Sequence, residues 1–219
     1  VDLTATLIEK GYDVYLDWKS VLKTSSDKFV GILSMGDVHR RNKSSNTTAS
    51  AADGAEVCLA AKLAAASEEN SDTTRLSEPT IYLEKATNKA LDVLSRNNEQ
   101  GFFLMIESAI IDGYGHNNDS EGMIEEMKEF DCTLKQLVAY VNQHPETLLV
   151  VTADHETGGT GVTYNSFEVG NPTPLKLSFS TKGHTGTVVP IFAYGAGAEA
   201  FAGIMKNTDL PKKIEELMK

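Results

Sequence analysis

Short apolar runs that alternate with amphipathic segments constrain the fold more than any other feature of the sequence. Three runs of strand length consist almost entirely of apolar residues, at positions 102–106, 147–152 and 188–194. Such runs are typical of strands that are covered on both faces, as in parallel sheets. By contrast, the segment 120–143 repeats apolar residues at helical spacing, at positions 123, 127, 130, 134, 137, 138 and 141. This alternation predicts an α/β fold with helices packed around a mostly parallel sheet.

Weaker patterns complete the expected elements. We expect further helices over 1–10, 18–23, 78–96 and 209–218, and further strands over 12–16, 29–33 and 175–179. Gly11 is expected to end the first helix as its C-terminal cap. Residues 37–77 are rich in Ser, Thr, Asn and Ala, which is typical of a low-complexity surface insertion. No domain boundary is evident, so residues 1–219 are expected to form a single α/β domain.

The charge balance disfavours several classes of partner. The chain has 31 acidic and 20 basic residues, a net charge of −11 that repels nucleic acid and anionic membranes. No apolar run approaches the ~18 residues that a membrane span needs. The same net charge also disfavours an anionic substrate, unless bound divalent cations reverse the local charge. The two cysteines, Cys58 and Cys132, lie far apart in the sequence and do not form a zinc knuckle.

Three loops next to the apolar runs contain side chains that could bind metal ions. The run 102–106 is followed by Glu107, Asp112 and His116. Asp112 and His116 are four residues apart, so either one helical turn or a tight loop can direct both side chains to one point. Glu107 lies directly at the strand end, where a carboxylate is costly unless it is paired or bound to a metal.

The other two loops are rich in glycine. Asp154 and His155 follow the run 147–152 and precede Gly158 and Gly159, which permit a tight turn. Neighbouring residues of an extended backbone point to opposite sides. Asp154 and His155 therefore either share one ion across a sharp bend or face two ions roughly 3.5–4 Å apart. His184 lies between two glycines, before the run 188–194.

The recurrence of these residues favours a metal site over separate structural roles. For any single Asp, Glu or His in these loops, a role as a helix cap or in a core hydrogen bond is the simpler explanation. Such separate roles do not explain why the same residue types recur in three glycine-flanked loops. A set of one Asp and two His fits zinc, whereas Glu and Asp oxygens suit magnesium. His144 is expected to interact with a helix C-terminus, and His39 is assigned no catalytic role.

The motifs in these loops resemble those of the alkaline phosphatases. The matching blocks are FFLMIES with the following Asp112 and His116, then TLLVVTADHETGG, then GHTG with VVPIFAYG. The resemblance runs from about residue 11 to the C-terminus. It implies a sandwich of helices around a mostly parallel sheet, two zinc ions, one magnesium ion and phosphate monoesters as substrates. It also implies that Asp112, His116 and His184 bind the first zinc ion, Asp154 and His155 the second, and Glu107 the magnesium ion.

The family's nucleophile is not found in the chain. In the family the reacting serine lies in an Asp-Ser-Ala type motif, and no such motif occurs in these 219 residues. Ser108 is interpreted as a packing residue, and Ser50 has no aspartate before it. We therefore expect the C-terminal, metal-binding part of an alkaline phosphatase domain, inactive alone, whose missing N-terminal half supplies the serine.

The resemblance further implies a location in the periplasm or outside the cell and makes a homodimer an expected assembly. Two other hypotheses remain open. One is a self-standing, non-catalytic metal-binding module. The other is a related two-metal hydrolase of the phosphodiesterase or sulfatase type, against which the long TADHETGG block argues.

Overall fold

Two compact units of mixed helix and strand make up the chain, residues 1–106 and residues 107–219. The computed structural model describes residues 3–32, 82–96, 98–163 and 176–218. The mixture of helices and strands agrees with the α/β class expected from the sequence. The expected insertion at 37–77, together with His39 and Ser50, lies outside the described residues.

The described part of the first unit contains helices and a parallel strand pair close to the predicted positions. Its elements are α1 (Leu3–Glu9), β1 (Asp13–Tyr15), α2 (Trp18–Lys23), β2 (Phe29–Gly31) and α3 (Tyr82–Leu94). Strands β1 and β2 pair in parallel, with Val14 opposite Val30. Gly11 follows α1 with a φ of +79°, a left-handed conformation that favours glycine.

The core of this unit forms where α2 packs on α3 and β1. Val21 of α2 and Leu91 of α3 are buried. A Cβ atom at Gly31 would lie 2.7 Å from Cγ2 of Val21, so a glycine here allows α2 to pack closely on the strand pair. The N-terminus of α2 is capped by Asp17, which accepts a hydrogen bond from the Ser20 N–H at 2.8 Å.

The prediction of a buried central strand at 102–106 is wrong for the described structure. In the described ranges no strand pairs with this segment. Its side chains alternate between partly buried and exposed, and Phe103 and Met105 are 57% and 80% exposed. The apolar pattern indicated an extended segment, but a strand also requires a hydrogen-bonded neighbour, and composition alone cannot show that such a neighbour is present.

The second unit contains two connected helices followed by short antiparallel strand pairs. Its helices are α4 (Ile110–Asn117), α5 (Ser120–Gln143) and α6 (Leu210–Leu217), with 3₁₀ turns at Ala198–Phe201 and Asn207–Asp209. Its strands are β3 (Leu148–Thr152), β4 (Glu156–Thr157), β5 (Gly161–Thr163), β6 (Lys176–Ser178), β7 (His184–Thr185) and β8 (Ile191–Gly195). β3 pairs with β8, β4 with β7 and β5 with β6, all antiparallel. Parallel pairing among the described strands is thus confined to β1 and β2.

Helix α5 has the predicted bounds and packs its buried side on α4, β3 and β8. Met123, Leu137 and Val141 are buried as predicted, whereas Met127 is 50% exposed and Thr133 is buried instead. The contact with α4 is close at Gly122, where an added Cβ would overlap the ring of Tyr114. None of the helices in the described ranges has the length and apolar character needed to cross a bilayer.

A sharp boundary separates α4 from α5. Asn118 ends α4 in a left-handed conformation with φ of 56°, and Asp119 caps α5 by accepting the Gly122 N–H at 3.0 Å. Replacing Asp119 with alanine leaves that donor without its partner and should lower the free energy of unfolding by about 1 kcal/mol. Chemical denaturation measures this loss. Asp119→Asn, which keeps a capping oxygen, should retain most of the stability, and an equal loss in both variants would contradict the capping role.

Candidate metal centre

Three secondary-structure elements bring the expected metal-binding side chains together. Asp112 and His116 lie one turn apart on α4. Their spacing allowed either one helical turn or a tight loop, and the structure has the helical turn. His184 begins β7, and the β4–β7 ladder places it opposite Thr157. Helix α4 contacts β4, the strand that pairs with β7. The His184 imidazole on β7 therefore lies near the Asp112 and His116 side chains on α4.

The side chains of Asp112, His116 and His184, called here the triad, form a compact set of ligand atoms. One atom from each residue lies within 4.8 Å of the others. Nε2 of His116 is 3.3 Å from Oδ2 of Asp112, Nε2 of His184 is 3.5 Å from Oδ1 of Asp112, and the two Nε2 atoms are 3.1 Å apart. Ligands of a tetrahedral zinc ion with bonds of about 2.0–2.1 Å are separated by about 3.4 Å. The triad therefore fits a single zinc ion in both chemistry and spacing.

Asp154 and His155, called here the pair, lie beside the triad. Oδ2 of Asp154 is 3.4 Å from Nε2 of His155, a separation suited to two ligands of one ion. The backbone bends at Asp154, which agrees with the sharp-bend alternative. The His155 ring stacks on the His184 ring, with centroids 3.5 Å apart. Asp154 is 83% exposed at its side chain, so this position is open to solvent.

The backbone orients one ring of the triad. Nδ1 of His116 lies 2.6 Å from the carbonyl oxygen of Lys182. Because a carbonyl can only accept, Nδ1 carries the proton and donates it. In the neutral tautomer with this Nδ1 proton, the lone pair is on Nε2, the atom that belongs to the triad, as a metal ligand requires.

A second hydrogen-bond network, centred on Glu156, holds the loop after the pair against β7. The Glu156 carboxylate accepts N–H groups from Thr160 at 2.7 Å and from Gly159 at 3.2 Å, and it also accepts the Thr185 hydroxyl. These donors, the Thr160 N–H first, lower the pKa of Glu156 below its usual value. Gly158 and Gly159 adopt φ values of 91° and 56°, which permits the tight turn predicted there.

Thr157 is a residue of the site that the sequence reasoning missed. It is buried on β4, and its hydroxyl donates to Oδ1 of Asp112 at 2.5 Å. This hydrogen bond is the largest cause that lowers the pKa of Asp112, while partial burial opposes the shift and the nearby imidazoles add to it. A carboxylate with a lowered pKa stays ionised and available to a cation. The signal that could have drawn attention to Thr157 is its position two residues after His155, within the TADHETGG block.

The remaining candidate residues lie apart from this arrangement. Glu107 is exposed and is not among the clustered ligand atoms of the described residues. His144 caps the C-terminus of α5: its Nδ1 lies 2.9 Å from the Tyr140 carbonyl oxygen and its ring stacks on the Tyr140 ring. The predicted helix-end role of His144 is therefore confirmed.

Comparison with known proteins gives a consistent result. The sequence model of the alkaline phosphatase family matches residues 2–175. Alkaline phosphatase H of Pseudomonas aeruginosa is 34% identical over 58% of this chain and 29% of its own length. Alkaline phosphatase 4 of Bacillus subtilis is 27% identical over 72% of this chain and 46% of its own. The chain spans less than half the length of the curated relatives that it matches.

Solved structures extend the likeness to the fold. Alkaline phosphatase from the Antarctic bacterium TAB5 superposes with a TM-score of 0.58 and 35% identity, covering 65% of this chain and 44% of that one. A cold-active alkaline phosphatase of Shewanella sp. is 23% identical and superposes with a TM-score of 0.68. The match covers 99% of this chain and 62% of that one, and it supports the α/β fold. With a family match over most of its residues, the chain belongs to the alkaline phosphatase family.

Proposed function

We propose that this chain supplies most metal ligands of a zinc- and magnesium-dependent enzyme that hydrolyses phosphate monoesters. The observation that carries the proposal is the triad, whose ligand atoms lie 3.1–3.5 Å apart in a chain of the alkaline phosphatase family. The relatives support a phosphomonoester substrate, since their names include alkaline phosphatases and a streptomycin-6-phosphate phosphatase.

In this proposal each residue of the site has a distinct role. Asp112, His116 and His184 hold one zinc ion, and Asp154 and His155 contribute to a second. Bound zinc ions would supply Lewis-acid stabilisation of phosphate ester oxygens and would lower the pKa of bound water. The carbonyl of Lys182 orients the His116 ring, and the Glu156 network fixes the loop that positions both His155 and His184. The chain's net charge of −11 disfavours an anionic substrate, and bound cations would reverse the charge at the site.

The magnesium ion is assigned to Glu107 on the family resemblance and on chemistry. A carboxylate oxygen is the ligand type that Mg²⁺ prefers. Glu107 is exposed and lies five residues before Asp112, and one solved relative, a TAB5 alkaline phosphatase mutant, is described with Mg bound. A single carboxylate fills one position of an octahedral site, so water or further ligands would complete the coordination of a magnesium ion at Glu107.

The nucleophile is proposed to come from another part of the protein. No Asp-Ser-Ala motif occurs among the 219 residues, and we infer that an N-terminal half outside this sequence supplies the serine that attacks phosphorus. By the same resemblance we assign the protein to the periplasm or the cell exterior and expect a homodimer. The chain alone should therefore bind zinc but have little or no phosphatase activity.

A non-catalytic metal-binding module is the second candidate function. It is favoured by one observation: the ligand atoms of the triad converge in a sequence of 219 residues that contains no Asp-Ser-Ala motif. This hypothesis and the hydrolase hypothesis both predict zinc binding by the chain, and they differ in what the native gene product does.

Hydrolysis of p-nitrophenyl phosphate by the native gene product distinguishes the two functions. We expect that product to be longer than this chain, to hydrolyse the ester, and to lose activity when a chelator removes zinc. A native product of the same mass as this chain that binds zinc without hydrolysis would support the module instead. A native product that neither binds zinc nor hydrolyses the ester would overturn both.

A further inference from the structure

One hydroxyl group lies between the triad and the pair. Oγ1 of Thr157 is 2.5 Å from Oδ1 of Asp112 and 3.2 Å from Nδ1 of His155. Asp112 belongs to the triad and His155 to the pair, so Thr157 hydrogen-bonds to one ligand of each set. Thr157 itself is 8% exposed, which excludes most competing contacts with water.

The direction of both hydrogen bonds follows from which of the atoms carry a proton and which can only accept one. An ionised carboxylate can only accept, so the single proton of the Thr157 hydroxyl goes to Asp112. The hydroxyl oxygen is then an acceptor towards His155, and Nδ1 of His155 must carry the proton that it donates. In a neutral His155 ring this donation leaves the lone pair on Nε2, the atom that lies 3.4 Å from Oδ2 of Asp154.

We propose that Thr157 is a positioning residue that orients both ligand sets through its hydroxyl group, selecting the tautomer of His155 and fixing the carboxylate of Asp112. The inference rests on the proposed function, because it assigns to Thr157 a role towards two metal ions. Groups that orient metal ligands in this way typically change metal affinity by 10–100-fold. The role needs the hydroxyl specifically.

Packing gives Thr157 a separate role, and the experiment must distinguish the two. Its methyl group lies against α4, since a Cβ at Gly115 would be 3.0 Å from Cγ2 of Thr157. Thr157→Val keeps the shape and the methyl but removes the hydroxyl, whereas Thr157→Ser keeps the hydroxyl and removes the methyl. Thr133→Val is the matched control, because Thr133 is also buried and its hydroxyl donates within α5, to the Glu129 carbonyl at 3.4 Å.

The first readout is the tautomer of His155 in the metal-free chain, measured from imidazole ¹⁵N chemical shifts. The measurement is made at a pH of about 8.5, because histidine side chains ordinarily have a pKa near 6.5 and the tautomers are read from neutral rings. We expect the Nδ1–H form in the wild type, in Thr157→Ser and in Thr133→Val, and a loss of this preference in Thr157→Val. His116, held by Lys182, should keep its Nδ1–H form throughout. An Nε2–H form of His155 in the wild type would overturn the inference.

The second readout is zinc affinity by calorimetry. Thr157→Val should weaken binding at both sites by about 10–100-fold, while Thr157→Ser and Thr133→Val should bind as the wild type does. Equal affinity of wild type and Thr157→Val, or weakening at only one site, would overturn the inference and leave the proposed function standing. A wild-type chain that binds no zinc would overturn both together.

Discussion

Replacing His184 with alanine is expected to weaken zinc binding at the triad by more than about 100-fold. The substitution removes one of three ligand atoms, and losing even a group that only orients a ligand costs 10–100-fold. The side chain of His184 is 48% exposed, so its removal should not unfold the chain. Competition with a chromophoric chelator measures the affinity, and circular dichroism confirms that the fold is retained.

His144→Ala is the matched control for this experiment. His144 is a histidine of the same unit, but it hydrogen-bonds to Tyr140 at the end of α5 and contributes nothing to the triad. We expect a small loss of stability and unchanged zinc affinity. If His184→Ala also left the affinity and the stoichiometry unchanged, the assignment of His184 as a ligand would be refuted.

Replacing Gly195 with alanine is expected to destabilise the second unit by about 2–4 kcal/mol. Gly195 ends β8 with a φ of +97°, which is costly for a residue with a side chain. An added Cβ would also overlap the Thr147 carbonyl oxygen and lie 2.8 Å from Cγ1 of Val141. That carbonyl accepts the Ala196 N–H, so relieving the overlap would disturb the end of the β3–β8 pair.

Gly203→Ala separates the steric overlap from the backbone conformation. Gly203 has almost the same φ, +96°, but a Cβ there meets nothing within 4 Å. It should therefore cost only the conformational penalty, about 1–2 kcal/mol. Urea denaturation of both variants measures the difference. Equal losses in the two variants would contradict the packing described at Gly195.

Local sequence signals predicted most of the elements. Helix α2 begins and ends at the predicted residues, and α5 matches because its apolar repeat is long and its cap, Asp119, is a strong start signal. The separation of four residues between Asp112 and His116 also predicted their convergence, because that spacing places two side chains on one face of a helix.

Features that depend on distant partners could not be predicted. The segment 102–106 is apolar enough for a strand, yet whether it pairs depends on a neighbour that its own sequence does not specify. Strands β3 and β8 were both predicted, but their antiparallel direction follows from the path of the chain between them. Thr157 was missed for the same reason, since its two partners become neighbours only when α4 packs on β4.

The zinc site proposed at the triad is tested by the position of zinc in crystals of the zinc-loaded chain, located by anomalous scattering at the zinc edge. We expect one ion within about 2.0–2.2 Å of ligand atoms of Asp112, His116 and His184, and a second ion bound by Asp154 and His155. Zinc bound elsewhere, or no zinc at the triad in crystals grown with excess metal, would contradict the assignment of these residues as zinc ligands.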